Sequence, residues 1–157
     1  MRIIRSFVFC FVLFNFISCA SVGFGEKNLE ERAVLKRAHE FRNSIEKKNP
    51  KATYALLSPK MRSEVSEKEF VAVSEVLYLN IVQIENKNFE VVWIRNNVAL
   101  TQVETSHRFQ PIGSKFSDCE RDVWIKLSNK WFLADFGRSC NYLLDANDIE
   151  FLTNDLK

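Results

Sequence analysis

Glycine is scarce in this chain, with four in 157 residues. Two of them, Gly23 and Gly25, fall near the N-terminus, outside the expected folded domain. There is no Gly-x-Gly-x-x-Gly and no phosphate-loop sequence, which argues against nucleotide cradling by backbone amides. His-Glu-x-x-His and Gly-x-Ser-x-Gly are missing too, so neither a zinc-helix protease nor a nucleophile-elbow hydrolase is spelled out. No Cys-x-x-Cys occurs, which weakens any zinc or thioredoxin-like reading. No internal repeat and no low-complexity tract is present. An excess of charge of one sign is also lacking. The chain has 22 basic and 20 acidic residues, and Arg2 and Arg5 are the only charges ahead of Cys19. From Cys19 onward the two signs balance, which argues against nucleic acid and against a polybasic membrane patch.

The chain does carry an N-terminal export pattern. Arg2 and Arg5 form a positive start, and residues 6–17 are an apolar run rich in phenylalanine and interrupted by Asn15. The run is too short for a membrane span, which needs about 20 apolar residues. It ends in Phe16-Ile17-Ser18-Cys19, which resembles the lipobox cut by lipoprotein signal peptidase. Ile17, Ser18 and Cys19 match that pattern. Phe16 departs from it, because leucine is usual there. The resemblance implies that residues 1–18 are removed and that Cys19 is acylated. Two other outcomes stay open: ordinary cleavage after Ala20, and an uncleaved anchor. All three put the domain outside the cytoplasm, and the lipid-anchored outcome puts it in the cell envelope. Acyl chains on Cys19 would make the membrane its first partner, and two or more chains give a stable anchor. Ala20 lacks the aspartate that retains some lipoproteins at the inner membrane, which favours the outer one.

This account uses two of the four cysteines, Cys10 in the signal and Cys19 at the lipid. Cys119 and Cys140 remain, in a compartment where disulfides persist. They are expected to be bonded, which is worth about 3 kcal/mol in the chain-entropy account. The alternative is two separate reduced thiols.

Residues 20–27 read as a short tether, reaching about 25 Å if extended. Asn28 with Glu31 suggests a helix start, and Val34, Ala38, Phe41 and Ile45 then form one apolar stripe ending near Lys47-Lys48. Asn49-Pro50 and Ser58-Pro59 open two shorter helices. Ser66-Glu67-Lys68-Glu69 is a capping box for another, with Phe70, Val73 and Leu77 on its apolar side. Strands follow at 81–84, 89–95 and 98–109, with turns at 86–88 and at Asn96-Asn97. A loop is expected at 110–118, and a hairpin at 121–136 turning near 128–130. An acidic tail covers 141–157, with a short helix near 148–152.

In that hairpin Val123, Ile125 and Leu127 share a side with Phe132, Ala134 and Phe136. This all-apolar face is expected to lie on the helices. Trp124 and Leu133 would then take the other face. If Asn129-Lys130 is the turn, Cys119 falls opposite Cys140; if Ser128-Asn129 is the turn, they sit one diagonal step apart.

The order of helices followed by an antiparallel meander resembles the NTF2-like superfamily, the α+β cone shared with ketosteroid isomerase and SnoaL-type proteins. Two stretches carry the resemblance. One is Tyr54-Ala55-Leu56-Leu57-Ser58 with Ser66-Glu67-Lys68-Glu69-Phe70. The other is Asp122-Val123-Trp124-Ile125-Lys126 followed by Lys130-Trp131-Phe132-Leu133-Ala134-Asp135-Phe136. It implies an NTF2-like domain over 28–140 in which helices pack on a curved sheet around a pocket. It implies no activity, because no catalytic set carries over residue by residue.

Four residues are candidates for a pocket or contact surface. His107 shares a strand face with Ala99, Thr101, Val103, Thr105 and Phe109, and an imidazole there could serve as acid or base. It could equally be a strand-end histidine near solvent. Tyr54 could present its hydroxyl to a pocket or simply pack a helix on the sheet. Trp124 and Trp131 could form an exposed apolar contact surface or be covered by loops or the tail. Asp122, Asp135 and Glu104 read as solvated carboxylates. No catalytic residue, metal ligand or cofactor is assigned. The leading expectation is a lipid-anchored, non-enzymatic envelope protein that binds a partner protein or a small apolar ligand. The alternative is a small pocket enzyme of the isomerase, dehydratase or hydrolase kind.

Overall fold

A computed structural model describes residues 22–109 and 115–141 together with Asp148, with side chains from residue 29 onward. The export signal, Cys19 and the expected C-terminal helix (apart from Asp148) lie outside the described residues. The chain divides into two compact units, Met1–Arg32 and Ala33–Lys157. Among the described residues four helices precede four strands: α1 Val22–Glu46, α2 Pro50–Tyr54, α3 Pro59–Glu64 and α4 Glu67–Leu79, then β1 Ile81–Arg95, β2 Val98–Phe109, β3 Lys115–Leu127 and β4 Lys130–Ser139. The strands form one antiparallel sheet in the order β1-β2-β3-β4.

The helix signals act largely as the sequence suggests. Val34, Ala38 and Phe41 are fully buried and Ile45 is half-buried, so the stripe of α1 faces the core. The start differs: α1 begins at Val22, so Asn28 lies inside the helix and residues 22–27 are helical instead of an extended tether. Asn49 accepts from the Ala52 N–H with Pro50 in the first turn, and Ser58 accepts from the Met61 N–H with Pro59 in the same role. Ser66 and Glu69 make the full reciprocal capping box on α4. That stabilises the helix start by satisfying two otherwise orphaned amides.

α2 stops at Tyr54 because the next residues are used elsewhere. Leu133 donates its N–H to the Leu56 carbonyl (2.9 Å), and Ser58 donates to the Leu133 carbonyl (2.8 Å). Leu57 thereby forms a parallel bridge with Leu133. This contact covers the edge of β4, which would otherwise present unpaired amides.

The expected turn at 86–88 is instead an irregularity inside one long β1, with Asn88 at φ 52° and the register shifting between Lys87 and Glu90. β3 starts at Lys115, inside the segment expected to be a loop. The β3–β4 turn is Ser128-Asn129, with φ of 47° and 63°. Two residues of positive φ give the twist that a two-residue hairpin needs. From that turn Leu127 pairs with Lys130 and Trp124 with Leu133. Two register shifts follow, so Val123 faces Asp135 and Arg121 faces Arg138. Each shift adds a residue to β4, a bulge that locally rotates the strand. The second contains Gly137 at φ 69°. Together they carry Cys140 from a diagonal position to one opposite Cys119. There the Cys140 N–H donates to the Cys119 carbonyl (3.1 Å), and the two form a disulfide with a Cα–Cα distance of 5.4 Å.

The hairpin faces are the reverse of the sequence expectation. Trp124, Trp131 and Leu133 pack with Ala99 of β2 against Val34, Ala38, Phe41, Leu56 and Leu57 of the helical layer. Val123 and Ile125 join Val98 and Leu100 in a second cluster, with Phe132 and Ala134 against it. Near its turn the hairpin is apolar on both faces, so alternation separated them correctly but could not say which one meets the helices. Phe136, within the second bulge, returns to the helix side and meets Phe41 at 5.5 Å between ring centroids. A further departure is α4. Phe70 packs on Tyr54, but Val73 and Leu77 are each 60% exposed, so most of its apolar side is turned outward.

Candidate functional site

Between α1 and the inner face of the sheet lies a buried polar cluster centred on Arg42. Arg42 is one residue from Phe41 and four from Ala38, so the helical period places it in the stripe that faces the core. Asp122 alternates with Trp124 on β3 and therefore points to the same interior. Arg42 grips Asp122 with two bonds, Nε to Oδ2 at 3.0 Å and Nη2 to Oδ1 at 2.5 Å. Its Nη1 donates to Glu120 Oε2 at 2.5 Å and lies 3.5 Å from Thr105 Oγ1. The Asp122 side chain is 1% exposed and that of Arg42 4%.

The rest of the cluster satisfies what this pair leaves open. Gly137 N–H donates to Asp122 Oδ1 (3.3 Å). Thr105 Oγ1 donates to Asn86 Oδ1 (2.9 Å), and Asn86 donates through both its backbone and side-chain amides to Glu46 Oε1. The buried indole of Trp124 donates to Thr101 Oγ1 (2.9 Å). His107 Nε2 lies 3.5 Å from Glu120 Oε1, while His107 Nδ1 is buried with no hydrogen-bond partner. Beyond His107, Phe109 and Phe116 continue the same face in a row of ring contacts at 6.1 and 6.0 Å.

The electrostatics follow from burial. Desolvation would lower the Arg42 value, but the charge of Asp122, the bonds to it and the pull of Glu120 outweigh that and raise it further. Arg42 is therefore a permanent cation. Burial pushes the Asp122 carboxyl up, and the charge and bonds of Arg42, with the Gly137 amide, pull against that push. A bidentate, charge-assisted pair of this kind is strong and geometrically specific. It engages both Asp122 oxygens, and Oδ1 takes the Gly137 amide as well. Glu120 keeps one oxygen toward His107 and gives the other to Arg42. Among the described residues, no group of three or more His, Cys, Asp or Glu side chains is placed to hold a metal ion.

Of the four residues singled out from the sequence, His107 lies in this cluster and Trp124 touches it through its indole N–H. Trp124 and Trp131 are 0% and 2% exposed, so they are core side chains under the helices and form no contact surface. Tyr54 donates toward the carbonyls of Arg62 (3.3 Å) and Val65 (3.1 Å) and stacks near Phe70, which ties α2 to the end of α3. Asp122, expected in solvent, is buried, while Glu104 remains exposed and holds Asn88 (2.7 Å). Arg42, Glu120 and Asp122 were missed together. The available signal was an arginine inside an apolar stripe, because such a charge requires a carboxylate partner.

No family model matches the chain, and no curated protein matches it. Solved structures do resemble it in shape. A candidate scytalone dehydratase from Novosphingobium aromaticivorans superposes with a TM-score of 0.51 at 13% identity, over 76% of this chain and 92% of that one. A candidate dehydratase of the NTF2-like family from Streptomyces avermitilis gives 0.54 at 11%, over 70% and 94%. A ketosteroid isomerase-like protein from Erwinia carotovora atroseptica gives 0.51 at 14%, over 68% and 92%. At such identities the shared property is architecture: helices laid on a curved four-stranded antiparallel sheet, the NTF2-like α+β cone.

Proposed function

We propose that this protein is a lipid-anchored lipoprotein of the cell envelope whose NTF2-like domain is a non-enzymatic docking module. The observation that carries the second half is Arg42. Its guanidinium occupies the interior where an acid–base site on this fold would need free carboxylates, and it engages both Asp122 and Glu120. The one imidazole nearby faces a carboxylate already bound to that cation. A small apolar ligand is also a poor match for an interior built from ions and hydroxyls, since every group it displaced would lose a partner. A protein partner engaged from outside fits better. The first half rests on Arg2, Arg5, the apolar run at 6–17 and the Ile17-Ser18-Cys19 sequence, with the outer membrane as the favoured location.

Intact mass of the protein from its native membrane tests the anchor. The expected result is a chain beginning at an acylated Cys19 and two hydrogens short for the disulfide. A mature chain beginning at Ser21 overturns it. Turnover of any substrate by purified protein that is abolished by His107→Ala overturns the docking role in favour of a pocket enzyme.

A further inference from the structure

Away from the Arg42 cluster, residues 33–40 of α1 and the β3–β4 turn line an open groove of about 490 Å³. Its charge is one-sided. Lys36, Arg37 and Lys130 line it against a single carboxylate, Glu40. That carboxylate is already matched, because Arg37 Nη1 holds Glu40 Oε2 at 2.7 Å. Arg37 is fixed further by its Nε bond to the Trp131 carbonyl (3.0 Å). Lys36 and Lys130 are exposed, and neither makes an ion pair among the described residues. A fourth cation, Arg62, stands over the Phe132 ring at 6.0 Å. Beside these charges the lining comes from the apolar Ala33, Ala55, Trp131 and Phe132 and from one polar side chain, Asn129.

The groove borders the edge of β4, but that edge is closed. Leu56 and Ser58 use the Leu133 amide and carbonyl, and Arg37 uses the Trp131 carbonyl. A partner therefore cannot join as an added strand and must be recognised by its side chains. Unmatched cations beside an apolar lining call for carboxylates interleaved with apolar side chains. The groove is open to solvent rather than a closed apolar tunnel, so it suits a peptide better than an acyl chain. We propose that this groove docks an acidic, apolar-containing peptide segment of a partner protein. The proposal rests on the docking role given above and specifies the chemistry of the partner.

The probe is a fluorescein-labelled peptide alternating glutamate and leucine over eight residues, with a glutamine-for-glutamate twin. The full acylated chain is presented in phosphatidylcholine nanodiscs and binding is read by anisotropy. The glutamate peptide is expected to bind saturably, and the glutamine twin at least tenfold more weakly. The Lys36→Glu/Lys130→Glu variant, with an unchanged melting temperature, is expected to lose at least tenfold, and each single variant less. Equal binding of the two peptides, or equal binding by variant and native protein, overturns the proposal. So does binding to phosphatidylglycerol vesicles that depends on Lys36 and Lys130 when the peptide fails to bind, because the groove would then be a headgroup site. These outcomes concern the groove alone, whereas the docking role itself falls to His107-dependent turnover.

Discussion

Replacing Arg42 by methionine removes the cation and keeps most of the side-chain bulk, so the effect isolates charge. Asp122 would be left buried with only the Gly137 amide, and Glu120 would lose its shortest bond. Breaking a buried pair by removing one partner costs about 3–5 kcal/mol. Against a domain stability of about 5–15 kcal/mol, that is a large fraction. For a domain of this size it corresponds to a drop in Tm on the order of 10–20 °C. Arg42→Met/Asp122→Leu should recover most of the loss, because an apolar replacement of the whole pair is often neutral or stabilising. The single variant should also be pH-dependent. Burial is the leading influence on the Asp122 carboxyl and raises it; Arg42 opposes that rise, so its removal raises the value further. A carboxyl whose folded value lies above its unfolded one binds more protons in the native state. The penalty of Arg42→Met relative to the native protein is then smallest in acid, grows as pH rises through the native protein's own raised Asp122 value, and levels off above the still higher value of the variant. Denaturant titrations of the three proteins between pH 4 and 8 measure this directly. A loss under about 1 kcal/mol at pH 7, or a loss that does not change with pH, refutes the picture of a charge held in place only by its partner.

Other expectations follow from single contacts. Cys119→Ser/Cys140→Ser should lose about 3 kcal/mol, read as the same fall in denaturation midpoint that a reductant produces in the native protein. Thr101→Val leaves the buried Trp124 indole N–H without its acceptor and should cost about 1–3 kcal/mol, with a shifted tryptophan emission. Gly137→Ala meets no steric obstacle, the nearest atom being Glu120 Oε2 at 3.9 Å, so its cost comes from the positive φ alone. That cost is about 1–2 kcal/mol, measured by thermal melting. Ser58→Ala removes the cap of α3 for about 1 kcal/mol, and equal stability would show that the Leu133 bridge alone sets that turn.

What the sequence revealed depended on whether a local rule decided the outcome. Helix caps at Asn49, Ser58 and Ser66 are local hydrogen-bond devices, and each does what its residue type suggests. The stripe of α1 and the span of β2 come from periodicity and were legible for the same reason. The facing of the final hairpin was not, because Val123/Ile125/Phe132 and Trp124/Leu133 are both apolar and only tertiary packing chooses between them. The two β4 bulges escaped notice because they shift the register without breaking the strand. The Arg42–Asp122 pair joins residues 80 apart, and no window of sequence contains both. Val73 and Leu77 mark the opposite failure, an amphipathic pattern taken to mean burial on a helix that turns those residues outward.

The Cys119–Cys140 bond makes the last hairpin a closed covalent loop spanning 21 residues of sequence separation. One consequence concerns force. Tension applied at the C-terminal tail crosses the sulfur bridge directly into β3, and β4 hangs in the loop bearing almost none of it. The same closure governs cleavage. A protease that cuts at the Ser128-Asn129 turn releases nothing, and the two fragments stay joined until the bond is reduced.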